Sequence, residues 1–114
     1  MTKRKLLGTL LLATAVFSVS ALAQSSDNLR AVEGTVTDSG GTAVNGAIVQ
    51  LKDTKTLQIR SFITRENGAF VFQGLRKSVE YEVKAKFKDR ESKSKLLTIY
   101  DDRQRAQVDL KLED

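Results

Sequence analysis

Two pairs of neighbouring carboxylates are the side chains in this sequence that come closest to acid–base chemistry. They are Asp101 with Asp102, and Glu80 with Glu82. Such a pair works as acid and base only where an apolar pocket raises the pKa of one member. The first pair lies in a predicted turn and the second on the solvated side of a predicted strand, and neither is flanked by pocket-forming residues. The sequence therefore predicts a protein that is not an enzyme, with a carboxylate-dependent enzyme as a remote alternative.

Missing residue types exclude most other chemistry. The chain of 114 residues has no His, Cys, Pro or Trp, so it has no imidazole base, thiol nucleophile, disulfide or thiolate metal site. We expect no cofactor and no metal site. Asp38, Asp53 and Asp101 lie in predicted turns and leave weak calcium binding open, although the alternating acids of a calcium loop are absent.

A group of basic residues in the second half of the chain forms a candidate anion- or partner-binding surface, which we call the lysine surface. Alternation puts the first three on one strand face, and the others follow the next turn. Its members are Lys84, Lys86, Lys88, Arg90, Lys93 and Lys95. The rival interpretation is an ordinary solvated face that discourages edge-to-edge aggregation, partly neutralised by Asp109 and Glu113.

Aromatic residues are too few to favour two kinds of partner. Tyr81 and Phe87 are predicted to lie on the strand face opposite the lysines, where they cannot stack on bases beside them, so a nucleic-acid partner is not expected. Sugar-binding platforms need exposed rings, and Tyr81 and Tyr100 are the sole tyrosines in a chain without Trp. A glycan partner stays open on weak support.

The first 23 residues have the layout of a secretory signal peptide, with a basic start, an apolar helical stretch over 6–19 and a small-residue cleavage site between Ala23 and Gln24. The apolar stretch is shorter than the ~20 residues that span a bilayer, and no later segment could span one. We expect cleavage and a secreted or periplasmic product. Because the signal carries three basic residues and no acid, the formal net charge falls from +5 to +2 on its removal.

The rest of the chain alternates with the period of β-strands. Residues 24–29 are predicted to be a flexible lead-in and 30–114 a single domain. Seven short strands separated by turns, with no helical periodicity, predict an all-β, antiparallel Greek-key sandwich. A tight hairpin is expected at Asn67–Gly68. The residues expected to be most buried are Phe70 or Phe72, Val83, Phe87, Val108 and Leu110.

Glycines, turns and alternating apolar positions in three segments resemble the carboxypeptidase regulatory-like domain family, whose fold is a transthyretin-like sandwich. The segments are Val32-x-Gly34-x-Val36-x-Asp38-x-x-Gly41-x-x-Val44-x-Gly46-Ala47-x-Val49, Thr64-x-x-Asn67-Gly68-x-Phe70-x-Phe72-x-x-Leu75 and Tyr81-x-Val83-x-Ala85. The resemblance implies close packing at Gly34 and a tyrosine corner at Tyr81.

The sequence also departs from that family. Ala43 and the segment 76–79 stand where members usually carry Pro and Pro-Gly. The related hydroxyisourate hydrolases use His residues and a C-terminal Tyr-Arg-Gly-Ser, and this chain has neither. We therefore expect an exported, non-catalytic module that serves interaction with an unknown protein or cell-envelope partner, or structural support. A carbohydrate-binding module of starch-binding-like architecture is the alternative.

Overall fold

The computed structural model describes residues 28–114, which form nine β-strands and no α-helix. The strands are β1 (Leu29–Thr37), β2 (Ile48–Asp53), β3 (Ile59–Ile63), β4 (Ala69–Arg76), β5 (Tyr81–Phe87), β6 (Arg90–Ser92), β7 (Lys95–Leu97), β8 (Arg105–Gln107) and β9 (Leu110–Glu113). This part of the chain has no helix able to cross a membrane. The predicted signal peptide lies outside the described residues.

The strands form a nearly closed sandwich, which confirms the predicted all-β class. Their order is β3-β2-β5-β6-β9-β1-β4, with β7 also paired to β5 and β8 also paired to β1. The strands number nine rather than the expected seven, and β1 pairs in parallel with both β8 and β9. One extra strand is β6, directly after β5. The other arises near Val108, where the chain leaves strand geometry between β8 and β9 and the Val108 N–H donates to the carbonyl of Glu33 at 2.8 Å.

Alternating apolar residues from both sides of the sandwich fill its core, as the period-two pattern predicts. Phe70 and Phe72 are both buried, because residues two apart on one strand face the same way. Val83, Val108 and Leu110 are also buried. The rest of the core is formed by Val32, Val36, Val44, Ala47, Val49, Leu51, Leu75, Tyr81, Ala85, Leu97, Ala106 and Leu112.

Gly34 on β1 permits the close packing that the family resemblance implies. A Cβ atom at this position would lie 1.7 Å from the carbonyl oxygen of Val108. No side chain fits there without moving the backbone between β8 and β9.

Phe87 is the exception among the predicted core residues: it is only partly buried and packs against the edge of the core. It is the last residue of β5, and Lys88 follows with a φ of 57°. Alternation along the strand therefore overestimated its burial, because the strand ends at this residue.

The turn at Asn67–Gly68 exists, but it does not join a hairpin. Gly68 has a φ of 75° and its N–H donates to the carbonyl of Arg65 at 2.8 Å. The strands on either side, β3 and β4, pair with β2 and β1 instead of with each other. The predicted hairpin is thus wrong, and the turn carries the chain from one sheet to the other.

The Tyr81 hydroxyl makes the cross-loop bond that the resemblance implies. It accepts a hydrogen bond from the backbone N–H of Arg76 at 3.1 Å. The loop between them closes without the family's Pro-Gly, through a bond of 3.2 Å from the N–H of Val79 to the Arg76 carbonyl.

Arg30 is a buried cation that sequence analysis did not single out. Only 2% of its surface is exposed. Its guanidinium donates to the carbonyls of Thr98 and Asp101 at 2.9 Å and of Val79 at 2.8 Å. The signal was present in the sequence, since Arg30 stands two residues before Val32 and shares its inward face.

Candidate functional site

The lysine surface begins on the outer face of β5, where Lys84 and Lys86 both point away from the core. Glu91 on β6 lies opposite Lys86. Its two carboxylate oxygens lie 3.4 Å from the Nζ of Lys84 and 3.7 Å from the Nζ of Lys86. One acid therefore neutralises part of the charge of both lysines.

Lys88 and Lys95 do not continue the row on β5. Lys88 lies in the turn after β5, with its Nζ 5.2 Å from the ring centroid of Phe87. Lys95 lies on β7, opposite Val83. The expectation that Lys84, Lys86 and Lys88 share one strand face is therefore wrong for Lys88, because its positive φ takes it out of the strand.

The remaining two members have acidic partners from the end of the chain. Arg90 lies 3.3 Å from a carboxylate oxygen of Asp114, and Lys93 lies 3.9 Å from one of Glu113. The lysine surface thus contains ion-paired acidic residues and is not uniformly basic. Anion binding there stays a prediction.

The carboxylates whose pKa is shifted are all shifted downward. The side chain of Arg103 donates to Asp101 and lowers the pKa of that carboxyl to about 2. Backbone N–H groups of Thr56 and Lys55 lower the pKa of Asp53. A hydrogen bond from the side chain of Gln107 lowers the pKa of Asp109. These groups are held as anions, which does not suit a general acid at neutral pH.

Several of the acids considered for acid–base chemistry or calcium binding have structural partners of their own. Glu82 forms an ion pair with Lys52 at 3.3 Å. Asp38 accepts the N–H groups of Gly40 at 2.9 Å and Thr42 at 3.0 Å, so it closes its own turn. Within residues 28–114, no three His, Cys, Asp or Glu residues cluster in a way that could hold a metal ion.

The free edge of β3 exposes a set of branched apolar side chains. Ile59 is 53% exposed and Ile63 is 63% exposed. Ile63 lies opposite Ile48 on β2, which is 42% exposed on the same outer face. Among residues 28–114, β2 is the one strand that pairs with β3. Apolar residues on both faces of this segment are the sign of it in the sequence.

The two end strands of the sheet, β3 and β4, meet without pairing, and we call the gap between them the seam. The rings of Phe62 on β3 and Phe72 on β4 close its middle, with centroids 6.1 Å apart. A cavity of about 440 Å³ lies at one end, near Arg65 and Asn67. A cavity of about 450 Å³, which we call the seam cleft, lies at the other end. Its lining is Leu51, Asp53, Thr56, Gln58, Arg60, Gly74, Arg76 and Tyr81.

Two arginines in the seam cleft have no acidic partner among residues 28–114. Arg60 comes from β3 and Arg76 from the end of β4. Both are exposed, and within the described part of the chain neither guanidinium has an acidic or hydrogen-bonding partner. No local sequence pattern reveals this pair, because the two arginines are 16 positions apart in the chain and only the fold brings them to one cleft.

Fold and surface together define a small β-sandwich module with an open edge strand. The sequence profile of the carboxypeptidase regulatory-like domain matches residues 31–113. The chain belongs to the carboxypeptidase regulatory-like domain family, as the sequence motifs predicted. A comparison with curated protein sequences gives no match.

Solved structures with the same fold come from proteins of different kinds. BcpA, the major pilin subunit of Bacillus cereus, is 15% identical with a TM-score of 0.59; the match covers 75% of this chain and 30% of that one. Chlorocatechol 1,2-dioxygenase from Pseudomonas putida is 9% identical with a TM-score of 0.60, covering 81% and 63%. A candidate carbohydrate-binding protein from Pseudomonas aeruginosa is 14% identical with a TM-score of 0.53, covering 80% and 93%. At these identities the likeness shows the fold alone.

Proposed function

We propose that this chain is an exported, non-catalytic module that binds a protein of the cell envelope by adding a partner strand to the free edge of β3. The observation that carries this proposal is the unpaired β3 edge, with Ile59 and Ile63 more than half exposed. An unpaired edge offers backbone hydrogen bonds to an extended segment, and side chains beside it give specificity. The same fold occurs in the major pilin subunit of Bacillus cereus, so a sandwich of this kind is compatible with a role in an assembly.

Export is the part of this proposal that the N-terminal sequence supports. Mass spectrometry of the protein recovered from its native cells tests it directly. We expect the mature chain to begin at Gln24, within one or two residues. Recovery of the full-length chain embedded in the membrane would contradict export by signal cleavage.

Photo-crosslinking in the native cells tests binding at β3. A crosslinking amino acid at Ser61, which is exposed between the two isoleucines, should give one discrete product with an envelope protein. The double variant Ile59→Lys and Ile63→Lys should abolish that product, because two charges then replace the apolar contacts. An unchanged product would overturn the proposal.

A matched variant distinguishes the lysine surface from the β3 edge. Lys84→Gln, Lys86→Gln and Lys88→Gln together leave β3 intact, so the crosslink should persist. Loss of the crosslink in this variant alone would show that the partner binds the lysine surface instead of the β3 edge. Weaker retention of this variant on heparin and anionic vesicles would separately support anion binding there.

A glycan partner is a second candidate, favoured by Tyr100 alone, whose side chain is 87% exposed. Exposed rings stack on sugars, and one neighbour of similar fold is described as a candidate carbohydrate-binding protein. No exposed aromatic pair is present within residues 28–114, since Tyr81 is buried. Binding on a glycan array that Tyr100→Ala removes would establish this alternative.

A further inference from the structure

We infer that the segment added at β3 is an acidic strand, with carboxylates on the side that faces the seam cleft and apolar residues on the opposite side. This inference rests on the proposed function and names the chemistry of its partner. It follows from the two faces that β3 presents along its free edge.

The outer face of the edge favours apolar side chains on the partner strand. Ile59, Ser61 and Ile63 share this face, since they alternate along the strand. Ile48 extends the apolar surface behind Ile63. A strand placed beside β3 would have every second side chain against the isoleucines, where apolar groups remove the most surface from water.

The inner face of the same edge favours negatively charged side chains on the partner strand. Arg60 lies on the inner side of β3, opposite the buried Leu51. Arg76 lines the same cleft from β4, next to Gly74, where no atom lies within 4 Å of an added Cβ. Two guanidinium groups without partners at one cleft favour carboxylates, which they bind in a charge-assisted, bidentate manner.

The acid already in the seam cleft does not satisfy these arginines. Asp53 accepts the backbone N–H groups of Lys55 at 2.8 Å and Thr56 at 3.1 Å. No ion pair joins Asp53 to either arginine within the described residues. The cleft therefore keeps unneutralised positive charge, in contrast to Lys84 and Lys86, which share Glu91.

A second copy of this chain fits the edge less well than an acidic segment. Antiparallel pairing of two β3 strands about Ser61 would place Ile59 against Ile63 of the other copy, which is favourable. On the inner face, Arg60 would then lie opposite Phe62 of the other copy, so neither Arg60 would gain an acidic partner. Charge complementarity thus selects an acidic partner.

Peptide binding tests the inference. The probes are short capped peptides of alternating Glu and Val, with Gln and Val as the neutral control, titrated against the folded protein by fluorescence anisotropy. We expect the acidic peptide to bind more tightly than the neutral one, with an affinity that falls as salt rises. Arg60→Gln with Arg76→Gln should weaken acidic-peptide binding about tenfold or more, because two charge-assisted contacts are lost.

A charge-matched variant, Arg105→Gln with Lys111→Gln, removes two cations away from β3 and should leave binding unchanged. Equal affinity for acidic and neutral peptides, or loss of binding in the charge-matched variant, would overturn the acidic preference. Absence of peptide binding together with a persistent Ser61 crosslink in cells would also overturn it and leave binding at β3 intact. Self-association on sedimentation that Ile63→Lys removes would identify a second copy instead.

Discussion

Arg30 holds two loops together from inside the protein, the loop between β4 and β5 and the loop between β7 and β8. Its guanidinium donates to backbone carbonyls of Val79, Thr98 and Asp101, and more weakly to that of Leu97 at 3.4 Å. Arg30→Met keeps the length of the side chain but leaves these carbonyls without their donor. We expect a loss of about 2–4 kcal/mol in the free energy of unfolding, measured in urea, because buried acceptors lose their partners.

An exposed arginine provides the comparison for Arg30. Arg105 is bound to Glu33 at 2.6 Å on the surface, and Arg105→Met should cost less than about 1 kcal/mol. Equal losses in the two variants would show that the buried hydrogen bonds of Arg30 add nothing beyond a surface ion pair.

Asp101 should make the free energy of unfolding depend on pH in the acidic range. Its pKa in the folded protein, lowered to about 2 by Arg103, lies below the ordinary value of about 3.9 for an unfolded chain. The unfolded chain therefore binds the proton first, and this stabilisation is complete above about pH 4 and is lost as the pH falls toward 2. Urea unfolding between pH 2 and pH 6 should show a shallower acid dependence for Asp101→Asn than for the parent chain.

The parent chain is the control for this measurement, together with an Asp102→Asn variant at the neighbouring exposed acid. If Asp101→Asn and the parent lose stability in parallel below pH 4, the pH dependence of stability comes from other carboxylates and not from Asp101.

At the scale of elements, Thr64 directs the chain from one sheet to the other. Its hydroxyl donates to the carbonyl of Val44 at 2.7 Å and accepts the N–H of Ala47 at 2.9 Å, while the residue is buried. Thr64→Val keeps the shape and removes both bonds. We expect a loss of about 1–3 kcal/mol in urea unfolding, since the two backbone groups stay buried without partners.

Thr42 serves as the matched control for Thr64, because it is exposed and, within residues 28–114, its hydrogen bonds are made by its backbone. Thr42→Val should change stability by less than about 0.5 kcal/mol. A Thr64→Val variant as stable as the parent would show that the bend between the sheets does not depend on this hydroxyl.

The elements also show what could be predicted from sequence. Alternation around Val83 and Leu110 predicts strands and their inward faces, because each side chain's direction depends only on its own strand. The destination of a strand depends on partners far along the chain, so Asn67–Gly68 predicted a turn but not a crossing between sheets. The pairing of Lys84 with Glu91 and the meeting of Arg60 with Arg76 depend on register and seam geometry, which no local pattern contains.

At the scale of the whole molecule, Phe70 and Phe87 differ in how deeply they are buried, and this difference shows where the core ends. Phe70 is buried to 2% exposure, whereas Phe87 packs only partly against the core. Phe70→Ala should cost about 3–5 kcal/mol, a large share of the stability of a small domain. Phe87→Ala should cost clearly less. A urea midpoint for Phe87→Ala as low as that for Phe70→Ala would mean that the core continues past the end of β5.

The pairing of β1 has a consequence for the order in which this chain can fold. All three partners of β1 come later in the chain, and two of them, β8 and β9, are its last strands; Val36, for example, pairs with Leu110. When the chain emerges from a ribosome or a membrane pore with its N-terminus first, β1 can pair with β4 early, but its other edge has to wait for β8 and β9. The sandwich therefore cannot close along β1 until β8 and β9, residues 105–113, have emerged, and until then one edge of β1 is open to other strands.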